Sequence, residues 1–134
     1  MRNILITGAS GGLAQEMVKL LPNDQLILLG RNKEKLAKLY GNRSHTELVE
    51  IDITDDSVLE DLVAELYQRY GKIDVLINNA GYGIFEEFDQ ISDKDIHQMF
   101  EVNTFALMNL SRRLAERMKE IRKGHIINIV SMAG

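Results

Sequence analysis

The stretch that decides the fold is Ile4-Leu5-Ile6-Thr7-Gly8-Ala9-Ser10-Gly11-Gly12-Leu13-Ala14. Three apolar residues of strand character lead into a glycine-rich turn, and the turn opens a helix that is predicted to run to about Leu21. Gly8 permits the sharp turn, and Gly12 lets the start of the helix lie close to the strand and to a ligand. The first N–H groups of the helix have no intrahelical partner and attract anions. The stretch therefore predicts a site for the pyrophosphate of a dinucleotide.

The turn by itself leaves a plainer interpretation open, because glycine-rich turns between a strand and a helix also occur without a ligand. The spacing of Gly8, Gly12 and Ala14 differs from the G-x-G-x-x-G of many dinucleotide-binding proteins. A P-loop is excluded, because no Gly-Lys-Ser/Thr follows and the turn has no lysine to reach a phosphate. Residues elsewhere in the sequence are needed to distinguish a ligand-binding turn from a purely structural one.

Strand and helix patterns alternate along the rest of the chain. Apolar runs predict five strands, at Ile4–Ile6, Gln25–Gly30, Glu47–Asp52, Ile73–Asn78 and His125–Val130. Helical patterns separate them: after the first turn, from Lys33 to about Tyr40 with Asn32 as the cap, from Thr54 or Asp55, and from Ser92 or Asp93 to about Arg122. This alternation predicts an α/β fold, a doubly wound Rossmann-type parallel sheet in the order 3-2-1-4-5 with helices on both faces. The fifth strand is predicted to be buried on both faces.

The composition is that of a globular protein and limits the partners. The 134 residues suffice for a single domain over residues 1–134, with 45% hydrophobic and 27% charged residues. A net charge of −4 argues against nucleic-acid binding. There is no cysteine, and the three histidines have no metal-ligand spacing, so no metal site is expected. No leader and no apolar run of membrane-spanning length is found, which predicts a cytoplasmic protein with no membrane partner.

Small or polar residues stand at the carboxyl end of every predicted strand. They are Thr7-Gly8, Gly30-Arg31, Asp52-Ile53, Asn78-Asn79-Ala80-Gly81 and Ser131. The carboxyl ends of parallel strands meet at one edge of the sheet, where ligands bind in folds of this class. Strand ends are often polar for reasons of solvation alone, and that explains any one of these residues better than the whole set.

At these residues the sequence resembles the short-chain dehydrogenase/reductase family. Thr7–Ala14 resembles that family's Thr-Gly-x-x-x-Gly-x-Gly turn, with Ala14 in place of the last glycine, and Asn78–Gly81 matches its Asn-Asn-Ala-Gly element. Asn103 and Ser131 match an asparagine and a serine of the family's catalytic set, so the resemblance implies Ser131 and Asn103 as catalytic residues. It implies a cofactor site formed by Gly8, Ser10, Gly11, Gly12, Leu13, Arg31, Asp52, Ile53, Asn79, Ala80 and Gly81. Thr7 is expected to tie the strand-end loops together rather than to touch the cofactor.

Arg31 indicates which dinucleotide is bound. An acidic residue at the end of the second strand would accept hydrogen bonds from the ribose hydroxyls of NAD, but Gly30 and Arg31 stand there. A guanidinium suits the 2′-phosphate of NADP, because its planar fork matches phosphate oxygens. NADP is therefore predicted in preference to NAD, against the alternative of a solvated arginine at a helix start. Lys35 either assists Arg31 or is a solvated helix residue, and the second interpretation is favoured.

The resemblance also shows which element of the family is missing. The family's acid/base residue is the tyrosine of a Tyr-x-x-x-Lys element about a dozen residues after the serine, and no tyrosine in this chain has a lysine four residues later. The chain therefore resembles the amino-terminal part of such an enzyme and is expected to be catalytically incomplete by itself. In the family, the helix corresponding to 112–123 often forms a subunit interface, which implies a homo-oligomer.

Three functions remain open on the sequence. The first is an NADP-dependent oxidoreductase that transfers a hydride between NADP(H) and a carbonyl or secondary alcohol, a small-molecule substrate whose identity the sequence does not give. The second is a non-enzymatic dinucleotide-binding or interaction module. The third is a Rossmann protein for nucleotide sugars or methyl donors, which the joint occurrence of Asn78–Gly81 and Ser131 disfavours.

Overall fold

Five parallel strands form the centre of the protein in the computed structural model, which describes residues 1–81 and 88–129. They are β1 (Asn3–Ile6), β2 (Gln25–Gly30), β3 (Thr46–Glu50), β4 (Val75–Asn78) and β5 (His125–Asn128). The sheet order is β3-β2-β1-β4-β5, and every pairing is parallel. The sequence-based prediction of a doubly wound sheet in the order 3-2-1-4-5 is confirmed.

Five α-helices connect the strands and cover both faces of the sheet. They are α1 (Gly12–Lys19), α2 (Lys33–Tyr40), α3 (Asp56–Tyr70), α4 (Asp93–Phe100) and α5 (Ala106–Ile121). Successive side chains of a strand point to opposite faces, so the apolar strands supply two separate clusters. One cluster packs Leu5, Ile27, Leu29 and Leu76 against α3 and α5, and the other packs Ile4, Ile6, Leu26, Leu28, Val75 and Ile77 against α1 and α2.

The helix starts follow the capping pattern of the sequence. The side chain of Asn32 accepts a hydrogen bond from the Lys35 N–H at 3.1 Å, and α2 begins at the next residue. Of the two candidates for the start of α3, Asp55 is the cap, and of the two for α4 the cap is Ser92. Each cap satisfies an N–H group that the helix leaves unpaired.

A π-helical turn at Glu101–Phe105 joins α4 to α5 into one continuous helical segment. The sequence predicted one or two helical pieces here. The segment ends after Ile121, where Arg122 adopts a left-handed conformation with φ 55° and Gly124 follows with φ 148°. Asn103, the predicted catalytic asparagine, lies in the middle of the π-helical turn.

The prediction that the fifth strand is buried on both faces is wrong for the described residues. Ile126 packs against the cluster below α3 and α5, but Ile127 is 45% exposed. Ile127 is paired with Ile77 of β4, and the cluster on that face includes no residue of β5. The apolar run gave the strand correctly, but periodicity does not say which neighbours cover each face. Val130, which the prediction included, lies outside the described residues.

Within residues 1–81 and 88–129, no helix is long and apolar enough to cross a membrane. The same residues contain no group of three or more acidic or histidine side chains that could hold a metal ion.

Candidate cofactor site

A cavity of about 660 Å³ opens at the carboxyl ends of the central strands. Every cofactor-binding residue that the sequence predicts lines it, although these residues come from four strand ends that are far apart in the chain. The lining residues are Gly8, Ser10, Gly11, Gly12, Leu13, Leu29, Gly30, Arg31, Asn32, Lys35, Ile51, Asp52, Ile53, Asn79, Ala80, Gly81 and Val102. The parallel sheet brings these strand ends to one edge, where the fold binds ligands.

At Gly8, the turn after β1 lies directly against the loop after β4. The φ of Gly8 is +60°, and a Cβ atom at this position would lie 2.7 Å from Cα of Ala80. The loop after β4 can therefore lie directly against the turn after β1 only because residue 8 has no side chain.

The carbonyl groups of the glycine-rich turn are held by hydrogen bonds. The Gly8 carbonyl accepts from Asn79 Nδ2 at 3.1 Å, and the Ala9 carbonyl accepts from the buried Tyr40 hydroxyl at 2.6 Å. The Ser10 carbonyl accepts from Gln15 Nε2 at 3.3 Å. Burial raises the pKa of Tyr40 above its usual value, so its hydroxyl stays protonated and able to donate.

The N–H groups of the same turn remain available to a ligand. Those of Ala9 and Gly11 are used within the protein, at the carbonyls of Leu29 and Gly8. Those of Ser10, Gly12 and Leu13 donate to no acceptor among the residues that the structure describes. All three residues line the cavity, and α1 begins here with its positive dipole end. The turn is thus suited to an anionic group such as a pyrophosphate.

Thr7 holds the two central strand ends together. It is 1% exposed, and its hydroxyl oxygen accepts hydrogen bonds from the N–H groups of Asn79 and Ala80, both at 2.9 Å. Thr7 does not line the cavity, which agrees with the expectation from the sequence that it does not touch the cofactor. It fixes the loop after β4 relative to the turn after β1.

Asp52 and Arg31 carry opposite charges at the far end of the cavity. Hydrogen bonds from the Thr54 hydroxyl and N–H, at 2.6 and 3.0 Å, lower the pKa of Asp52, and the positive charge of Arg31 lowers it further. Neither Arg31 nor Lys35 forms an ion pair with a described residue. This end of the cavity therefore presents unpaired cations to a ligand.

The predicted catalytic residues are described only in part. Gly81 lies against Asn103, because a Cβ atom at residue 81 would be 2.8 Å from Asn103 Oδ1. Val102, the neighbour of Asn103, lines the cavity. Ser131 lies outside the described residues.

Asn78 fixes the end of β4 through hydrogen bonds to neighbouring elements. It is 2% exposed, and its Nδ2 donates to Ser111 Oγ and to Asn128 Oδ1, both at 2.9 Å. These bonds join β4 to α5 and to β5. A buried amide that is paired in this way fixes the strand that carries Asn79, Ala80 and Gly81.

Sequence reasoning missed some residues of the site. For Lys35 the sequence favoured a solvated helix residue over a role beside Arg31, and Lys35 lines the cavity with Asn32. Both lie within one turn of Arg31, and that proximity was the available signal. No sequence pattern indicated a role for Tyr40, since its hydrogen bond to Ala9 joins residues 31 positions apart.

Comparisons with known proteins agree with this geometry. A model of the family described as short chain dehydrogenase matches residues 2–134. A 3-ketodihydrosphingosine reductase of Bacteroides thetaiotaomicron is 30% identical over 131 residues, which cover 98% of this chain and 47% of that protein. Ketoacyl reductase HetN of Nostoc sp. is 35% identical over 141 residues, with 99% and 48% covered.

Solved structures show the same likeness. The closed form of a serine dehydrogenase complexed with NADP+ has a TM-score of 0.90 at 29% identity, covering 98% of this chain and 55% of that one. The chain spans about half the length of the curated relatives it matches.

Proposed function

The chain belongs to the short-chain dehydrogenase/reductase family, and we propose that it is the cofactor-binding part of an NADP-dependent oxidoreductase. The proposed reaction is hydride transfer between NADP(H) and a carbonyl compound or secondary alcohol. The observation that carries the proposal is the cavity at the strand ends. Among the described residues, backbone N–H groups without an acceptor line one part of it, and cations without an ion-pair partner line another. A dinucleotide needs both, because its pyrophosphate and its 2′-phosphate are separate anions.

The protein residues fit an extended dinucleotide. The turn from Gly8 to Leu13 offers N–H groups to the pyrophosphate. Asp52 and Ile53 line the same cavity, and the resemblance implies that Asp52 lies beside the adenine ring. Asn79, Ala80 and Gly81 line the side of the cavity nearest to Asn103. When bound, the nicotinamide of the cofactor would supply or accept the hydride.

Arg31→Ala is expected to remove the preference for NADPH over NADH. A charge-assisted hydrogen bond contributes about 1.5–3 kcal/mol, so the parent chain should bind NADPH at least about tenfold more tightly than NADH. The measurement is calorimetric titration with each dinucleotide at moderate salt. Lys38→Ala is the matched control, since Lys38 lies on α2, the helix that follows Arg31, is exposed and does not line the cavity. Equal affinities in the parent chain would refute the assignment of Arg31.

For catalysis, the resemblance assigns a substrate-binding role to Ser131, whose hydroxyl would donate a hydrogen bond to the substrate oxygen as negative charge develops there. Asn103 would hold a water on the proton route. The 134 residues contain no Tyr-x-x-x-Lys element, so these roles are incomplete without a proton donor.

We therefore expect the 134-residue chain to bind NADPH without reducing ketones at a measurable rate. General acid/base catalysis contributes typically about 10²–10⁴-fold, and the Tyr-x-x-x-Lys element that supplies it in the family is not among these 134 residues. The assay is NADPH oxidation in the presence and absence of a panel of ketones. Ketone-dependent oxidation that disappears in Ser131→Ala would contradict the expectation.

The alternative function is a non-enzymatic dinucleotide-binding or interaction module. The two functions differ in the residues that follow Gly134 in the gene. A Tyr-x-x-x-Lys element about a dozen residues after Ser131 would support the enzyme, and its absence would support the module.

Partners and location form part of the same proposal. Members of the family act on small molecules, and we propose a homo-oligomer in which α5 contributes to the subunit interface, as the resemblance implies. We propose a cytoplasmic location, which agrees with the absence of cysteine from the sequence. Sedimentation equilibrium tests the oligomer directly.

A further inference from the structure

Glu50 does not line the cavity, but its carboxylate lies at the start of α2, next to residues that do. It is the last residue of β3, and it is paired with Gly30 at the end of β2, in neighbouring strands that lie about 4.8 Å apart. The N–H of Ile51 donates to the Gly30 carbonyl at 2.9 Å, so the two strand ends are held together up to the residue before Arg31.

The carboxylate of Glu50 is directed towards the start of α2. Its Oε1 accepts a hydrogen bond at 3.0 Å from the N–H of Lys33, the first residue of that helix. The N–H of Lys35 is taken by Asn32. Two of the N–H groups at this helix start are therefore already used, and one of them is used by an anion.

The negative charge of Glu50 is not neutralised by a described neighbour. It forms no ion pair within 4.0 Å among the residues that the structure describes. Arg31 and Asn32 lie between Gly30, the register partner of Glu50, and Lys33, whose N–H donates to the Glu50 carboxylate. A phosphate held by Arg31 would therefore come close to this carboxylate. Like charges at such a distance repel, and the repulsion is reduced by salt.

We propose that Glu50 is a specificity-determining residue, which weakens the binding of the 2′-phosphate and so limits the preference for NADP(H) over NAD(H). The inference rests on the proposed function, because it requires a dinucleotide in the cavity. Arg31 attracts the 2′-phosphate and Glu50 opposes it, so the two residues together set the ratio of the two affinities. The chain is then expected to bind both dinucleotides rather than NADP(H) alone.

Glu50→Gln separates the charge of this side chain from its role at the helix start. The amide oxygen of glutamine can still accept the hydrogen bond from Lys33 N–H, while the negative charge is lost. NADPH affinity should rise about three- to tenfold, and NADH affinity should change by less than about twofold, because NADH lacks the 2′-phosphate. The gain should shrink between about 0.05 M and about 0.5 M NaCl.

Each variant is titrated with NADPH and with NADH, and binding is monitored by the fluorescence of the nicotinamide. Glu116→Gln is the control for a general change in net charge, since Glu116 is exposed on α5 and does not line the cavity. Glu50→Ala removes both the charge and the helix contact, so its difference from Glu50→Gln, with unfolding monitored by circular dichroism, measures the effect of the contact.

The outcomes distinguish this inference from the proposed function. If the parent chain binds neither dinucleotide, the proposed function fails and the inference fails with it. If both bind and the ratio of affinities is the same in Glu50→Gln as in the parent, the inference is overturned while the proposed function stands. An equal increase in Glu116→Gln would also overturn it, because the effect would then come from net charge.

Discussion

Gly12→Asp should abolish the binding of NADPH and NADH while leaving the protein folded. A Cβ atom at residue 12 would meet nothing within 4 Å, so the protein has room for the side chain. Gly12 is the first residue of α1, where a carboxylate interacts favourably with the helix dipole. The same carboxylate would occupy the anion site and repel a pyrophosphate. Such repulsion costs several kcal/mol, which corresponds to a loss of affinity of at least about 100-fold.

Gly12→Asn is the matched control, since it has nearly the same size and no charge. It should lose far less affinity than Gly12→Asp in the same titration, and thermal unfolding should confirm that both variants are folded. If the folded Gly12→Asp variant keeps the parent affinity, the dinucleotide is not held by this turn.

Gly8→Ala should have the opposite result, a large loss of stability. Its φ of +60° is disfavoured for any residue with a side chain, and the new Cβ would lie 2.7 Å from backbone Cα of Ala80 and 2.9 Å from its nitrogen. Backbone cannot move aside as the end of a flexible side chain can. We expect the free energy of unfolding to fall by about 2–4 kcal/mol, measured by urea denaturation.

Gly71→Ala is the control for the conformational part of this loss. Gly71 has φ +81°, but a Cβ atom there would meet nothing within 4 Å. Its substitution should cost about 1–3 kcal/mol, the strain of a positive φ with ψ −37° and no clash. A loss at Gly8 no larger than that at Gly71 would mean that the loop after β4 moves away without penalty.

Much of the fold could be predicted because local and global signals agree. The apolar run from Gln25 to Gly30 predicted a buried central strand, and Asn32 marked the residue where the next helix is capped. The alternation of strands and helices then limited the sheet to one order. The residues at the strand ends could be grouped into one site because parallel strands end at the same edge.

The features of the fold and the site that the sequence did not predict depend on contacts between residues far apart in the chain. Sequence patterns do not show that Tyr40 donates to Ala9, or that the side chain of Glu50 reaches Lys33, because no periodicity connects these pairs. The exposure of Ile127 was missed for a related reason, since burial depends on which elements cover each face of the sheet.

Because of the π-helical turn at Glu101–Phe105, the number of residues between α4 and α5 cannot change without altering how the two helices are oriented. Such a turn is equivalent to one extra residue in an α-helix. Deleting one of these residues would restore regular helix geometry and rotate the two flanking helices by about 100° relative to each other. Leu110 and Leu114 hold α5 in the core, so the rotation would fall on α4 and turn Asn103 away from Gly81. Chimaeras made by exchanging segments with relatives should therefore be joined outside residues 93–121, since a shift of one position inside that range disconnects the asparagine from the cavity.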